Sequence, residues 1–509
     1  MLSSFHMASP TIPLSAARPR RGGIPAARAW ILASAAASAL AAPGTGAFAA
    51  PAPGFLGTLS DPTRVIPVAP FARPAYGATV RDPVFGTRLT RITGDSGRAV
   101  ARDLGVWGVD VRHVYSKQQP WNSTGTLMSI QNRRGSATRT PLVLDGETYR
   151  PLFTPCDAYD NWDYRWHPSP DHANEQIAVN RAGTELMWFD VVNCKKTRSW
   201  KLPFPADYGI GSGEGNVSAD GRFVVISDDR RMVVVDMDPN APNAPRYPFK
   251  RIGPVYTFAP CSLQAGGDPM FCPNGNISIS PSGRYIDVKF GSGGVKCDTL
   301  CDLHRIYEVD SALVIRPHAM ASTALRCGSF AARPNGWVFP LKHADMARDP
   351  FDHDEDVLIG GRACPGSKIG HVVKVRLRDG LVTALTRPEN EAGLGHVSAR
   401  ATGRPGWVYV TYARGAPWKR FNGEIVAVKM DGSGEVQRFG QYHGTSGFYR
   451  AEAHGVPSPD GRRVLFASDW LEDCDGGCGS PGLIGAYVID ARDGVQTAPP
   501  AGTKARPRR

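Results

Sequence analysis

Residues 454–468 read His-Gly-Val-Pro-Ser-Pro-Asp-Gly-Arg-Arg-Val-Leu-Phe-Ala-Ser, a histidine followed by a turn and then an apolar run. In the Ser458–Gly461 turn, proline presets φ and glycine accepts a positive φ. The β-branched and aromatic residues that come next favour a strand. The stretch therefore predicts two short strands joined by a tight turn.

Six further stretches have the same order of a histidine or asparagine, a turn and an apolar strand. The seven are spaced 49 to 67 residues apart, and the other six begin at His113, His167, Asn216, Asn276, His343 and His396. Asp-Gly and Gly-Ser-Gly hairpin turns join further strands to each, so every repeat holds about four. The chain is therefore predicted to be all-β, a seven-bladed β-propeller of four-stranded antiparallel blades. We place it at residues 85–498, with Thr87–Thr93 completing the last blade.

The first fifty residues predict an export signal. Residues 1–49 combine four arginines, an apolar run at Ala29–Ala42 and a small-x-small site at Ala47–Ala49. The run is shorter than the roughly 20 residues of a membrane helix, although an uncleaved anchor is the alternative. We expect a periplasmic or secreted protein with no membrane span after cleavage, a linker at 50–84 and a basic tail at 499–509. General and twin-arginine export both stay open.

The net charge narrows the choice of partner. Lys and Arg outnumber Asp and Glu by 59 to 47, a formal charge of +12. Residues 1–50 carry four of these charges and residues 501–509 carry four more, so the propeller is only mildly basic. We therefore expect no nucleic acid partner. The Gly209–Gly213 loop lacks a following Lys-Ser/Thr pair, so we expect no nucleotide cofactor. We also expect the protein to be a monomer.

The ten cysteines all follow the predicted cleavage site, and export favours disulfides. Sequence neighbours suggest the pairs Cys156–Cys194, Cys261–Cys272, Cys297–Cys301, Cys327–Cys364 and Cys474–Cys478. The alternative is a metal site that uses the thiolates of Cys297, Cys301, Cys474 and Cys478.

The repeated histidines predict a site on the propeller axis. Equivalent positions on the inner strands of seven blades would form a ring, here of five histidines and two asparagines. We expect His343, His396 and His454 to bind one divalent metal ion, with His443 or water, because neutral imidazole is a common metal ligand. The alternative is that each residue of the ring hydrogen-bonds a neighbouring blade.

The turn pattern resembles the secreted WD40-like propellers of the TolB type. The wider layout resembles propeller polysaccharide lyases of the oligogalacturonate and ulvan lyase type. The residues that carry this resemblance are His113–Ser116, Gln119–Asn122, Trp166–Pro168, His343, His396 and His454. Oligogalacturonate lyases have a glutamine among their metal ligands. No glutamine stands three residues before a candidate histidine here, so the resemblance leaves the metal's identity open.

The resemblance implies β-elimination on a uronic acid of an acidic polysaccharide or oligosaccharide. Such a reaction needs a base, an acid and a group that neutralises the carboxylate. The base would be His113 or His167 and the acid Tyr115 or Tyr164. Arg165 would pair with the carboxylate. The alternatives are a non-enzymatic envelope propeller that binds a protein or glycan, and a metal enzyme of other chemistry such as an oxidoreductase.

Overall fold

The chain folds into a seven-bladed β-propeller, described here from a computed structural model. The structure describes residues 59–134, 138–238, 251–258, 273–290, 303–320, 337–338, 341–362, 371–387, 389–445, 449–470 and 483–492. Seven antiparallel sheets follow one another along the chain, one for each predicted repeat.

The strands are β1 (Thr79–Arg81), β2 (Arg88–Arg91), β3 (Asp110–Arg112), β4 (Leu127–Arg134), β5 (Thr138–Asp145), β6 (Pro151–Phe153), β7 (Asp163–Trp166), β8 (Glu175–Val179), β9 (Glu185–Asp190), β10 (Lys195–Lys201), β11 (Phe223–Ser227), β12 (Arg231–Asp236), β13 (Tyr256–Thr257), β14 (Pro273–Ile279), β15 (Tyr285–Phe290), β16 (Leu303–Val309), β17 (Ile315–Pro317), β18 (Trp337–Val338), β19 (Leu341–Asp349), β20 (Glu355–Arg362), β21 (Val372–Arg376), β22 (Val382–Ala384), β23 (Leu394–Ser398), β24 (Trp407–Tyr412), β25 (Glu424–Lys429), β26 (Val436–Gln441), β27 (Val456–Pro457), β28 (Arg463–Ser468) and β29 (Gly485–Asp490). The described part also has three short 3-10 helices, at Ala101–Asp103, Pro170–His172 and Tyr449–Ala451.

Six blades begin with their innermost strand, next to the axis, namely β3, β7, β14, β19 and β23 in blades 1, 2, 4, 5 and 6, and β27 in blade 7. The described sheet of blade 3 has three strands and begins at β11, which follows the Ser218–Gly221 turn as β28 follows the Ser458–Gly461 turn. Residues on both faces of the middle strands are buried between neighbouring blades, as in β12, where four residues in a row are covered. A sheet buried on both faces reads as a continuous apolar run, which explains the Met-Val-Val-Val sequence at 232–235.

Blade 7 is built from both ends of the propeller sequence. β2 pairs with β29 through Leu89 opposite Ile489, and β1 pairs with β2, so the sheet order is β1-β2-β29-β28-β27. This confirms the predicted contribution of residues 87–93. The sheet also includes Thr79–Arg81, which lie before the predicted propeller start at residue 85. Closure pairs strand edges at the seam that would otherwise be open.

Residues 59–73, called the strap from here on, lie against blades 6 and 7. Leu59 forms a β-bridge with Arg438 of β26. Arg438 pairs with Glu424 at 2.6 Å with both side chains fully buried, and it also donates to the carbonyls of Asp61 and Arg64. Further along, Nε1 of Trp470 donates to the carbonyl of Phe71. The strap thus covers the outer edge of blade 6.

Cys156 and Cys194 form a disulfide, as the sequence suggests, with a Cα–Cα distance of 6.0 Å. The other four suggested pairs lie outside the described residues, as do the predicted signal and tail. In the described part of the chain, we find no helix with the length and hydrophobicity of a membrane span.

Candidate functional site

Three histidines of blades 5, 6 and 7 are presented by irregular backbone. His343 lies in a bulge of β19, where the register shifts between Lys342 and Asp345, and its φ is +50°. A second bulge precedes His396 in β23. His454, just before β27, has a φ of +48°. Bulges and left-handed backbone redirect a side chain away from the regular pleat, and they are common beside functional sites.

These three residues, the histidine cluster, meet in one small volume. The ring centroids of His343 and His396 are 4.2 Å apart, and those of His396 and His454 are 3.9 Å apart. His396 and His454 are buried, whereas His343 is partly exposed. The repeat position that places a histidine before each turn therefore does bring three blades together at one point.

Blade 1 contributes two more of the predicted residues. The Tyr115 hydroxyl lies 3.0 Å from Nδ1 of His343, and its ring packs edge-on against His396 and His454 at 5.3 and 4.7 Å. Nε2 of His113 donates to the carbonyl of His454 at 2.6 Å. A carbonyl oxygen only accepts hydrogen bonds, so Nε2 of His113 carries the proton.

Two charged side chains border the cluster. Arg112 is fully buried and donates to Nδ1 of His454 at 2.6 Å. The Oε2 atom of Glu452 lies 3.1 Å from Nε2 of His454 and 3.4 Å from Nε2 of His396. Arg112 and Glu452 thus face opposite nitrogens of the same imidazole.

Burial keeps the imidazoles of His113, His396 and His454 neutral. It lowers the pKa of His396 and of His454 well below the ordinary value, and the neighbouring histidines and Arg112 lower both further. The pKa of His113 falls for the same reasons, burial first and Arg112 second. Neutral imidazole is the form that accepts a proton or binds a metal ion.

His396, Glu452 and His454 form a donor set that fits a divalent metal ion. Their ligand atoms all lie within 4.8 Å of one another. Two ligands held about 2.1 Å from one ion lie about 3.0–3.4 Å apart, which matches the separations of 3.1 and 3.4 Å from Glu452. Nε2 of His396 is buried and has no hydrogen-bond partner among the described residues. While Arg112 donates to Nδ1 of His454, Nε2 carries the proton, so Nε2 could bind an ion only if that hydrogen bond breaks and the proton moves to Nδ1.

Two other predicted residues lie in contacts within and between blades. His167 packs against Trp188 and His172, with centroids 4.5 and 4.6 Å apart, and its Nδ1 accepts from the amide of Ser169. The Tyr164 hydroxyl lies 2.7 Å from Oγ of Ser129.

Arg165 and His443 also have local partners. The buried guanidinium of Arg165 donates to Asp163 and to three backbone carbonyls, among them Ile210 and Gly215 at the start of blade 3. His443 stacks on Phe71 of the strap and packs against Trp470.

Sequence reasoning missed five residues near the cluster. Arg112 and Glu452 are neighbours of the predicted histidines in the chain, so listing residues one and two positions away would have found both. Tyr449 is 56% exposed, and its ring lies 5.3 Å from that of His454. Lys117 and Glu214 form a 2.7 Å ion pair that lines a cavity of about 10 Å³, room for about one water molecule.

Neither a protein-family model nor a curated protein sequence matches the chain. Solved structures of similar fold include an oligogalacturonate lyase in complex with manganese, with a TM-score of 0.46 and 12% identity over 82% of this chain and 96% of that one. An oligogalacturonate lyase from Vibrio parahaemolyticus has a TM-score of 0.46 and 10% identity over 82% and 97%. Hydrazine synthase from Kuenenia stuttgartiensis has a TM-score of 0.42 and 12% identity over 74% and 97%. These likenesses concern the fold alone.

Proposed function

We propose that this protein is an exported polysaccharide lyase that cleaves an acidic, uronate-containing polysaccharide by β-elimination at the histidine cluster. The observation that carries the proposal is the convergence of His343, His396 and His454 with the Tyr115 hydroxyl. A base beside a hydroxyl acid is what elimination next to a carboxylate needs.

His343 and Tyr115 are the residues we assign to proton transfer. His343 is the partly exposed member of the cluster, so a sugar can reach it. Its Nδ1 lies 3.0 Å from the Tyr115 hydroxyl, close enough to exchange a proton. In this assignment His343 removes the proton next to the uronate carboxylate, and Tyr115 protonates the leaving glycosidic oxygen.

The two buried histidines of the cluster, together with the half-buried Glu452, would hold a metal ion. His396, Glu452 and His454 are the ligands that the donor geometry favours, in place of the set with His443 predicted from sequence. A bound divalent ion would neutralise the carboxylate of the uronic acid as a Lewis acid. Arg112 would have to release Nδ1 of His454 for Nε2 to serve as a ligand.

Incubation with polygalacturonate and other uronate polymers tests the proposal, read by the ultraviolet absorbance of the unsaturated product. We expect product from the wild type and a loss of at least about 100-fold in His343→Ala. His172→Ala is the matched control, since His172 lies in blade 2 beside His167. Binding of these polymers without product would instead support the non-enzymatic propeller.

A further inference from the structure

A second cavity lies on the seam between blades 7 and 1. It has a volume of about 410 Å³ and is called the seam cavity from here on. Its walls combine polar side chains with backbone of the two blades, including Arg73, Arg91, Asp95, Ser96, Val109 and Ile484. Such a volume can take one sugar unit.

The seam cavity carries a surplus of positive charge. Arg73 and Arg91 share the single carboxylate of Asp95, at 3.1 and 2.5 Å. Two guanidinium groups against one carboxylate leave one positive charge without a counter-charge in the wall. Asp95 itself is 57% exposed at the side chain, so an incoming anion can compete with it for the two arginines.

Arg91 also has an unmet hydrogen bond. Its side chain is only 6% exposed, and its Nε atom is buried with no hydrogen-bond partner in the part of the chain that the structure describes. Buried polar atoms in folded proteins are almost always paired. An oxygen of a ligand in the seam cavity is one way to supply that partner.

Direct contacts link the seam cavity to the histidine cluster. Ile484 in the cavity wall forms a β-bridge with Asp110, and Asp110 is held by Arg450 at 2.6 and 2.9 Å. The carbonyl of Arg450 accepts from Arg112, which donates to His454. The exposed ring of Tyr449, which precedes Arg450 in the chain and lies 5.3 Å from the ring of His454, offers an apolar face on which a sugar ring can pack.

We propose that the seam cavity binds a carboxylate of an acidic oligosaccharide, on a sugar unit remote from the one at the histidine cluster. The inference rests on the proposed function for the ligand class, and it adds a second contact point for an extended chain. Guanidinium pairs recognise carboxylates with defined geometry. The ligand would run from the cluster past Tyr449 to Arg73 and Arg91.

The test measures binding of trigalacturonate and hexagalacturonate by titration calorimetry, in a His343→Ala background that prevents cleavage. We expect Arg73→Gln to weaken hexamer binding about five- to tenfold and trimer binding less. Asp95→Asn should strengthen hexamer binding, because it removes the competing carboxylate. Arg181→Gln is the matched control, an arginine that is 77% exposed and pairs with Asp160. It should leave the affinity unchanged.

Three results would overturn the inference: equal affinities for Arg73→Gln and Arg181→Gln, equal losses for trimer and hexamer, or no binding of the hexamer. Product formation by the same variants with His343 restored separates the two proposals. Binding that depends on Arg73 without any product would leave the seam cavity standing and remove the lyase. If the wild type and Arg73→Gln form product from the polymer at the same rate, the lyase function stands and the seam cavity is not a binding site for the substrate.

Discussion

The guanidinium of Arg112 in blade 1 donates a 2.6 Å hydrogen bond to Nδ1 of His454 in blade 7. Burial lowers the pKa of Arg112 only to about 9, so it is cationic at neutral pH and Nδ1 must be the acceptor. A neutral imidazole has one donor and one acceptor, which puts the proton of His454 on Nε2, facing Glu452. One contact across the closing seam thus sets the tautomer at the centre of the cluster.

His454→Ala should destabilise the protein by about 1–3 kcal/mol, because it leaves a buried N–H of Arg112 without an acceptor. His454→Asn keeps an acceptor oxygen near the position of Nδ1, so most of that loss should be recovered. Both variants should lose lyase activity, since neither has Nε2. Urea unfolding separates the two effects. Equal instability of both variants would show that packing of the ring, rather than its acceptor, matters.

His396→Ala should weaken the binding of Mn²⁺ by at least about tenfold, because it removes one ligand from a three-residue set. Titration calorimetry of the metal alone gives the affinity. His443→Ala is the matched control, since His443 stacks on Phe71 and packs against Trp470. If both variants lose affinity for Mn²⁺ equally, His443 is a metal ligand and the assignment made from geometry is wrong.

Glu391 should make stability depend on pH. Its carboxylate accepts from Tyr412 and pairs with Arg420, yet burial raises its pKa to about 7. A carboxyl whose pKa is raised on folding stabilises the folded state fully below its unfolded pKa of 4.5, and this contribution is lost as the pH rises through about 7. Between pH 4.5 and 8, the free energy of unfolding of the wild type should fall by on the order of 3 kcal/mol relative to that of Glu391→Gln.

The comparison uses the difference in pH dependence between the two proteins, measured by urea unfolding at several pH values. In Glu391→Gln the new amide faces Arg420, which lowers the free energy of unfolding by an amount that does not vary with pH. This constant therefore cancels when only the pH dependence is compared. Parallel curves for the wild type and Glu391→Gln would mean that folding leaves the pKa of Glu391 unchanged, and they would contradict the prediction.

Arg438→Met should cost about 3–5 kcal/mol, because it leaves Glu424 as a buried charge without its partner. It also removes the donor to the carbonyls of Asp61 and Arg64, so the strap should become a site of proteolytic cleavage. Glu424→Gln is the control for the second effect, since it keeps Arg438 in place. Cleavage within residues 59–66 at the same rate in both variants would contradict a direct hold on the strap.

Turn chemistry and repeat spacing were enough to predict the propeller, its seven blades and the strand that closes blade 7. Local signals suffice there because each blade repeats the same turn and the same apolar strands. The functional site was harder to predict from the sequence. His167 occupies the same repeat position as His454, yet it packs against Trp188. Irregular backbone redirects the side chains of the cluster, and a shift of one residue along a strand moves a side chain to the other face of the sheet.

Arg165 illustrates the second kind of difficulty. The resemblance to polysaccharide lyases implies that Arg165, two residues before His167, pairs with a substrate carboxylate. Its donors instead meet carbonyls of Ile210 and Gly215, about 50 residues further along the chain. Which backbone oxygens a guanidinium will meet depends on how one blade packs on the next, and residue types alone do not encode that packing.

Because β2 and β29 together close blade 7, the sheet of this blade cannot be completed until the end of the propeller has been synthesised. β2 ends at Arg91 and β29 begins at Gly485, about 400 residues later. At about 5–20 residues per second, the ribosome needs roughly 20–80 seconds to deliver the partner strand. Throughout that time β2 presents an open edge of the kind that pairs with other chains.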